Sequence, residues 1–207
     1  FGGADLRPEQ IGSFVYYVQA NDRTVRELAF NFEFDRFIAR DMTLTSGHMT
    51  EDGIDYIAYQ QSPENYLWAL RSDGKLAVLA RDLDQNIQGW SLVELEDTTI
   101  QSVGIIPNGA EDQVWVISRR TINGSTRDYV EYFEAHDWGD DQEDVFFVDS
   151  GLTYSGASTT TLTGLDHLEG ETVSVLSEGA VHPDRTVSSG SITLASATTK
   201  AQIGLSY

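Results

Sequence analysis

Residues 66–81 read YLWALRSDGKLAVLAR, in which two apolar runs flank the pair Asp73-Gly74. An Asp-Gly pair between apolar runs predicts a tight β-hairpin, because both residues readily adopt the backbone angles of such a turn. Successive side chains of a strand point to opposite faces, and both faces of these runs are apolar. A sheet with one solvated face would instead alternate apolar and polar residues. The hairpin is therefore predicted to be an inner layer that other sheets cover on both sides.

Two further segments repeat this arrangement. Residues 14–32 read FVYYVQANDRTVRELAFNF and residues 114–133 read VWVISRRTINGSTRDYVEYF. The three turns begin at Asn21, Asp73 and Asn123, so they are 52 and 50 residues apart. Other strand-like runs precede or follow these hairpins, at residues 37–44, 54–60, 89–95 and 100–107. Four strands in about fifty residues is the size of one β-propeller blade. The alternative is a β-sandwich whose hairpins resemble one another by chance.

The repeat is incomplete at both ends. Residues 1–12 show no convincing strand pattern, so the first unit is predicted to lack its leading strand. The last strand of the third unit would fall near Gly139, within an acidic run. Two or three blades would leave apolar sheet edges exposed, so we expect further blades from a longer chain or from another chain. The absence of a Met before Phe1 agrees with a fragment.

The predicted fold is all-β, with partial propeller-like blades of four antiparallel strands followed by a small antiparallel barrel or sandwich. Residues 136–144 are strongly acidic, and like-charge runs tend to stay solvated, so the blades are assigned to 1–138 and the small domain to 139–207. In the small domain, strands are predicted at residues 145–148, 159–162, 172–176, 191–195 and 201–205. Turns between them are predicted at Glu169-Gly170, Glu178-Gly179 and Ser189-Gly190. A short helix capped by Ser46 or Thr45 is predicted within residues 45–53.

The composition limits the functions that fit. The chain has 207 residues, no cysteine and a formal net charge of −20, the opposite of the basic patch that binds nucleic acid. The absence of cysteine excludes disulfides, thiolate metal sites and a thiol nucleophile. No apolar run approaches the roughly 20 residues that span a bilayer, so no membrane insertion is expected. The usual explanation of such a charge is solubility.

No catalytic motif stands out. The four histidines lack the spacing of a metal site. They are His48, His136, His167 and His182. Asp166-His167 and His182-Pro183-Asp184 are either two halves of a site or, as we favour, turns stabilised by polar side chains. Arg119 and Arg120 are expected to pair with acids at a solvated strand end. We predict no enzyme, no catalytic residue and no cofactor.

Two other groups of residues have a functional alternative. An acidic loop offers the carboxylate oxygens that Ca²⁺ prefers, but it lacks the residue order of an EF-hand, so a solvated linker is favoured. Its acids are Asp137, Asp140, Asp141, Glu143 and Asp144. Tryptophans can stack on sugars, but Trp68 and Trp115 occupy matching positions in the repeat and are predicted to be core residues. The other two are Trp90 and Trp138.

Several short segments resemble the tail nozzle (tail tubular protein B) family of bacteriophages and prophages. The likeness covers roughly residues 24–207 and depends on the order and spacing of its pieces. The segments in the first part of the chain are YQQSPENYLW at 59–68, RSDG at 71–74, QGW at 88–90, EDQVW at 111–115 and RRTING at 119–124. Those in the second part are FVDSGL at 147–152, GLDHLEG at 164–170, HPD at 182–184 and GSITL at 190–194.

The resemblance implies a structural protein of the virion tail, made in the bacterial host cytoplasm. Members of the family assemble as a hexameric nozzle through which the genome leaves, and they have no catalytic residues to transfer. The implied partners are other tail proteins, copies of the same chain and double-stranded DNA in passage. An acidic wall would repel the phosphates of the sliding duplex. The alternative function is a carbohydrate- or receptor-binding propeller module.

Overall fold

The protein is described by a computed structural model at residues 2–82, 85, 87–95, 97–135 and 137–206. Within these residues the regular structure is β-strand apart from three short 3₁₀ helices, at Gly47–Thr50, Gln142–Asp144 and Asp166–Leu168. The predicted all-β fold with four-stranded antiparallel sheets is confirmed. The first helix lies where a short helix was predicted. Ser46 is its N-cap residue, but no side chain caps this helix with a hydrogen bond.

The chain divides into two compact units. The first consists of Phe1–Glu94, Thr98–Ser118 and Val130–Phe133. The second consists of Leu95–Asp97, Arg119–Tyr129 and Glu134–Tyr207. The predicted division into 1–138 and 139–207 stays a prediction, and His136, within its boundary segment, lies outside the described residues.

The first sheet is a four-stranded antiparallel meander in the order β1-β2-β3-β4. Its strands are β1 Glu9–Ile11, β2 Phe14–Val18, β3 Val25–Asn31 and β4 Arg36–Asp41. The prediction that residues 1–12 lack a strand is wrong, because Ile11 pairs with Phe14 and Glu9 with Tyr16. Three residues are too short to show an alternating pattern, so pairing with β2 defines this strand.

The second sheet is also a four-stranded antiparallel meander, in the order β5-β6-β7-β8. Its strands are β5 Ile54–Gln60, β6 Tyr66–Arg71, β7 Leu76–Asp82 and β8 Ile87–Val93. The central hairpin is confirmed: Leu67 lies opposite Leu79 and Ala69 opposite Ala77. Gly74 in its turn has a φ of 82°.

The third sheet has three strands in the order β11-β10-β9. They are β9 Thr98–Asn108, β10 Glu111–Ile122 and β11 Ser125–Tyr132. The predicted turn between β10 and β11 is present, with positive φ at Asn123 (47°) and Gly124 (71°). Among the described residues between 133 and 148 no further strand follows, so this meander lacks the fourth strand of the other two.

The second sheet is buried on both faces, as predicted. On one face Leu67 and Leu79 belong to a cluster with Tyr16 and Val18 of the first sheet. On the other face the ring of Trp68 stacks on Phe133, which directly follows β11, at a centroid distance of 5.5 Å. The three meanders of the first unit therefore stack in chain order around the central sheet.

The second unit contains one open four-stranded antiparallel sheet, in the order β12-β15-β13-β14. Its strands are β12 Asp149–Thr163, β13 Thr172–Ser177, β14 Ala180–Thr186 and β15 Ser191–Leu205. In the part of the chain that the structure describes, this sheet does not close into a barrel. Its core includes Leu162, Leu165, Leu168, Val173, Val175, Ile192 and Ile203.

Some strand predictions in this unit are corrected. Residues 145–148 form no strand, and the segments predicted at 191–195 and 201–205 are parts of the single long strand β15. Strand β14 was not predicted, because it contains Pro183, which cannot donate a ladder hydrogen bond. The three predicted turns are present, with positive φ at Gly170, Glu178, Gly179, Ser189 and Gly190.

Candidate functional site

A buried charged cluster joins the first and second sheets. Glu27 on β3 is 1% exposed, although it occupies a core-facing position between Val25 and Ala29. The Tyr16 hydroxyl donates a hydrogen bond to Glu27 Oε2, and Arg81 Nε on β7 lies 3.3 Å from the same oxygen. A buried carboxylate is tolerated only when donors or cations surround it, so these contacts hold the two sheets in one register.

The second carboxylate oxygen of this cluster is less well satisfied. Glu27 Oε1 is buried and accepts no hydrogen bond from the described residues, and Arg40 Nη1 lies 3.9 Å away. Burial, and then the hydrogen bond to Glu27, raise the pKa of the Tyr16 hydroxyl. Tyr16 therefore remains protonated and acts as a donor, which is a structural task.

A second buried cation fixes the segment between the first two sheets. Arg71, at the end of β6, is 4% exposed and binds Asp73 through two hydrogen bonds of 2.9 and 2.8 Å. It also donates to the Met49 carbonyl at 2.9 Å and to the Asp52 carboxylate. Partial burial raises the pKa of Asp73, but the hydrogen bonds and charge of Arg71 outweigh it and hold that pKa below its usual value.

The second and third sheets are joined by polar contacts as well as by apolar packing. The Asp112 carboxylate at the start of β10 accepts hydrogen bonds from the backbone N–H groups of Gln61 and Ser62, at 2.8 and 3.1 Å. The Ser62 hydroxyl donates to the Ala110 carbonyl at 2.9 Å. Trp68 donates its indole N–H to Gln60 Oε1 at 3.0 Å. These contacts fix the β5–β6 connection against the neighbouring sheet.

A shallow groove of about 200 Å³ lies beside the turn of the central hairpin. Its lining includes Asp55, Leu70, Arg71, Ser72, Asp73, Thr99 and Ile100. The polar groups are already engaged: Ser72 donates to Asp55 at 2.5 Å, and Arg71 binds Asp73. The polar groups that line the groove are therefore bonded to one another.

The histidines do not form a shared site among the described residues. His167 Nε2 lies 2.9 Å from the Ser150 carbonyl. His182 Nε2 accepts the Ala195 amide N–H at 3.0 Å, so its proton is on Nδ1, which donates to the Pro183 carbonyl at 2.7 Å. His182-Pro183-Asp184 was predicted to be a turn and is instead part of β14. His48 lies in the first 3₁₀ helix.

The acidic loop is anchored at its C-terminal end. Lys200 on β15 pairs with Asp144 and, at 3.4 Å, with Glu143. Gln202 donates to the Glu143 carbonyl at 3.0 Å. Within the described part of the chain, no group of three or more His, Asp or Glu side chains is close enough to hold a metal ion. Because Lys200 and Gln202 bind its C-terminal end, the loop is only in part the solvated linker that was predicted.

Two predictions about the third hairpin are partly corrected. Arg119 is exposed and pairs with Asp128 at 2.7 Å, as expected. Arg120, in contrast, is 2% exposed and binds Asp149 through two hydrogen bonds of 2.5 and 2.6 Å. Trp68 is a core residue, whereas Trp115 is half-buried, because its side chain points away from the face that carries Val114.

The sequence analysis missed an exposed aromatic surface at the β3–β4 hairpin. Phe32 is 88% exposed and Phe37 is 67% exposed, and both rings contact Phe30 edge to face. Phe34 lies under the Arg36 guanidinium at 5.5 Å. The available signal was four phenylalanines within a turn and its flanks, since turns are usually polar.

Comparison with known proteins adds no relative: no protein-family model matches this chain, and no curated protein matches it. The resemblance to the tail nozzle family therefore stays a prediction. Among the residues described, no helix is long and apolar enough to cross a membrane.

Proposed function

We propose that this chain is a non-enzymatic structural component of a phage tail, a nozzle or tail-tube wall through which the genome passes. The observation that carries the proposal is the central sheet, which is buried on both faces and joined to its neighbours by the Glu27–Arg81 ion pair and by the hydrogen bonds to Asp112. Interiors packed in this way resist deformation, as the wall of a conduit must.

The charge of the chain supports the same proposal. A net charge of −20 would weaken contact with phosphates, so DNA could slide past the protein without being retained. The proposed partners are other tail proteins, copies of the chain in a homo-hexamer and double-stranded DNA in passage. The proposed location is the virion tail.

Electron microscopy of the full-length protein tests the proposal. Six-fold rings with an open lumen are expected. A monomeric particle without a lumen under conditions in which the chain is folded would contradict it. The same preparation should fail to retard duplex DNA in a gel even at low salt, where electrostatic binding is strongest.

A carbohydrate- or receptor-binding module is the second candidate, and the exposed phenylalanines of the β3–β4 hairpin favour it. Aromatic faces stack on sugar rings and on apolar side chains. A glycan array separates the two candidates. Specific binding that Phe32→Ala abolishes, and that the matched variant Val181→Ala retains, would favour recognition; the conduit proposal expects no glycan binding.

A further inference from the structure

Part of one edge of β15 is bonded by side chains and not by a neighbouring strand. β12 lies along one edge of β15, and β13 pairs with the other edge from Ala201 to Gly204. Within the described residues of the second unit, neither β13 nor β14 forms a ladder with the preceding residues, 193–199. We call residues 193–199 the bridged edge of β15.

Two side chains of β14 bind the bridged edge. Arg185 Nε donates a hydrogen bond to the Thr193 carbonyl at 2.8 Å. His182 Nε2 accepts the backbone N–H of Ala195 at 3.0 Å. Between these two side chains lies Pro183, which has no backbone N–H to donate. Arg185 and His182 therefore take the places of the backbone donor and acceptor that a neighbouring strand would supply.

A third side chain binds the other end of the bridged edge. Glu178, in the turn before β14, accepts the backbone N–H of Thr199 and, at 3.0 Å, the Thr198 hydroxyl. The Thr199 backbone N–H, and then the hydroxyls of Thr199 and Thr198, lower the pKa of Glu178 to about 2. Glu178 therefore stays ionised, and keeps these hydrogen bonds, until the pH approaches about 2.

The contact at His182 is the one that a proton can break. In the neutral ring the proton is on Nδ1, which donates to the Pro183 carbonyl at 2.7 Å. A second proton must bind Nε2, because that is the ring nitrogen with a free lone pair, and Nε2 is the atom that accepts the Ala195 N–H. A doubly protonated ring has two donors and no acceptor, so it cannot keep this hydrogen bond.

The groups around His182 do not share this property. The charged residues beside it on β14 are Asp184, which accepts the Ser174 hydroxyl at 3.3 Å, and Arg185. Glu178 precedes β14, and neither β13 nor the bridged edge contains a charged residue. Arginine stays protonated in proteins, and of these residue types only histidine ordinarily changes its charge between about pH 5 and pH 8.

We propose that His182 is a pH-sensitive switch on the bridged edge: the neutral ring holds Ala195, and protonation of the ring releases it while the contacts of Arg185 and Glu178 remain. The release frees backbone groups in the middle of a strand edge, and such groups can pair with another extended segment. The inference concerns the second unit alone and does not depend on the tail function.

Nuclear magnetic resonance of the intact protein, labelled with ¹⁵N in alanine and histidine, tests the switch. The protection of the Ala195 amide against hydrogen exchange, relative to its intrinsic rate at each pH, is compared at about pH 8 and about pH 5. Ala201 is the internal reference, because it lies on the same strand opposite Tyr154 and Ser177. The ring nitrogen signals of His182 report its protonation in the same sample.

The protection of Ala195 is expected to fall about tenfold on acidification, which corresponds to the loss of one hydrogen bond. The fall should follow the protonation of the His182 ring, and the protection of Ala201 should not change. In His182→Gln, the side-chain carbonyl can accept the same N–H and does not titrate, so Ala195 should be equally protected at both pH values.

His167→Gln is the matched control. His167 Nε2 lies 2.9 Å from the Ser150 carbonyl, which can only accept, so this ring is a donor in both protonation states. Ala195 should therefore respond to pH in His167→Gln as it does in the wild type.

Three results would overturn the inference. The first is a wild type in which the His182 ring becomes protonated and Ala195 keeps its full protection. The second is a His182→Gln variant in which Ala195 loses protection on acidification as in the wild type. The third is an equal loss of protection at Ala195 and Ala201, since that would be general unfolding of the sheet and not a local release.

Discussion

The second and third sheets of the first unit carry similar hairpins in different surroundings. In the second sheet Trp68 and the arginine next to the turn, Arg71, are buried at 8% and 4% exposure. In the third sheet Trp115 is half-buried, and of the two arginines before the turn Arg119 is paired at the surface whereas Arg120 is 2% exposed. The comparison teaches that a repeated strand pattern determines which face a residue occupies, whereas the neighbouring sheet determines whether that face is buried.

The largest expected difference is between the two tryptophans. Trp68→Ala removes the stack on Phe133 and the hydrogen bond to Gln60, so we expect a loss of about 4 kcal/mol in the free energy of unfolding. Trp115→Ala should cost about 1 kcal/mol, because its side chain is already partly solvated. Urea unfolding followed by far-UV circular dichroism measures both. Equal losses would show that the third sheet is covered as well as the second.

The two arginines should differ next. Arg71→Ala leaves the partly buried Asp73 without its main partner and the Met49 carbonyl without a donor, so we expect a loss of about 3 kcal/mol. Arg119→Ala breaks an exposed ion pair and should leave the urea midpoint unchanged. A midpoint for Arg71→Ala that matches wild type would show that Arg71 does not fix the segment between the first two sheets.

The turn glycines give a smaller contrast. Both have positive φ, 82° at Gly74 and 71° at Gly124, but a Cβ on Gly74 would lie 2.8 Å from the Thr99 Cβ, whereas one on Gly124 would meet open space. We expect Gly124→Ala to cost about 1 kcal/mol through backbone strain and Gly74→Ala about 2 kcal/mol through strain and overlap. Thermal denaturation of both variants checks the order, and equal losses would show that Thr99 moves aside freely.

The smallest expected contrast is in how the stability contributed by Asp73 and by Asp128 depends on pH. The pKa of Asp73 is lowered, since Arg71 outweighs the effect of burial, and the pKa of Asp128 is lowered by Arg119. A carboxylate with a lowered pKa stabilises the folded state above its unfolded pKa, near 3.8, and that contribution disappears as the pH falls through the folded pKa.

The stability gap between wild type and Asp73→Asn should therefore be present at pH 7 and close below about pH 4. Asp128→Asn should show a smaller gap, because its ion pair is exposed. Urea unfolding at a series of pH values measures both gaps. A gap for Asp73→Asn that widens on acidification would mean that the folded pKa of Asp73 is raised instead.

Local chemistry made much of the first unit predictable. Asn123 and Gly124 both have positive φ in their turn, and Gly74 has positive φ in the central turn, a conformation that few residues other than Gly and Asn adopt. The apolar runs beside these turns mark buried strands. The strands that were missed depend on partners elsewhere. Three-residue β1 exists because β2 pairs with it, and β14 tolerates Pro183 because it lies at the edge of its sheet.

The polar contacts were less predictable than the strands. Arg120 was expected at a solvated end, yet it is buried against Asp149, which lies 29 residues away in the sequence. No local pattern encodes such a pairing. Glu27 is a charged residue at a core-facing position of an alternating strand. That pattern predicts a buried partner but does not identify the residue. The missing partner, Arg81, follows 54 residues later.

That separation also bears on how the chain folds during synthesis. On a ribosome β2 and β3 emerge well before β7. Until Arg81 on β7 has been synthesised, the Glu27 carboxylate lacks this partner, so its burial is unfavourable. We therefore expect the nascent first hairpin to remain loosely formed until the second meander has left the exit tunnel, and the two to consolidate together.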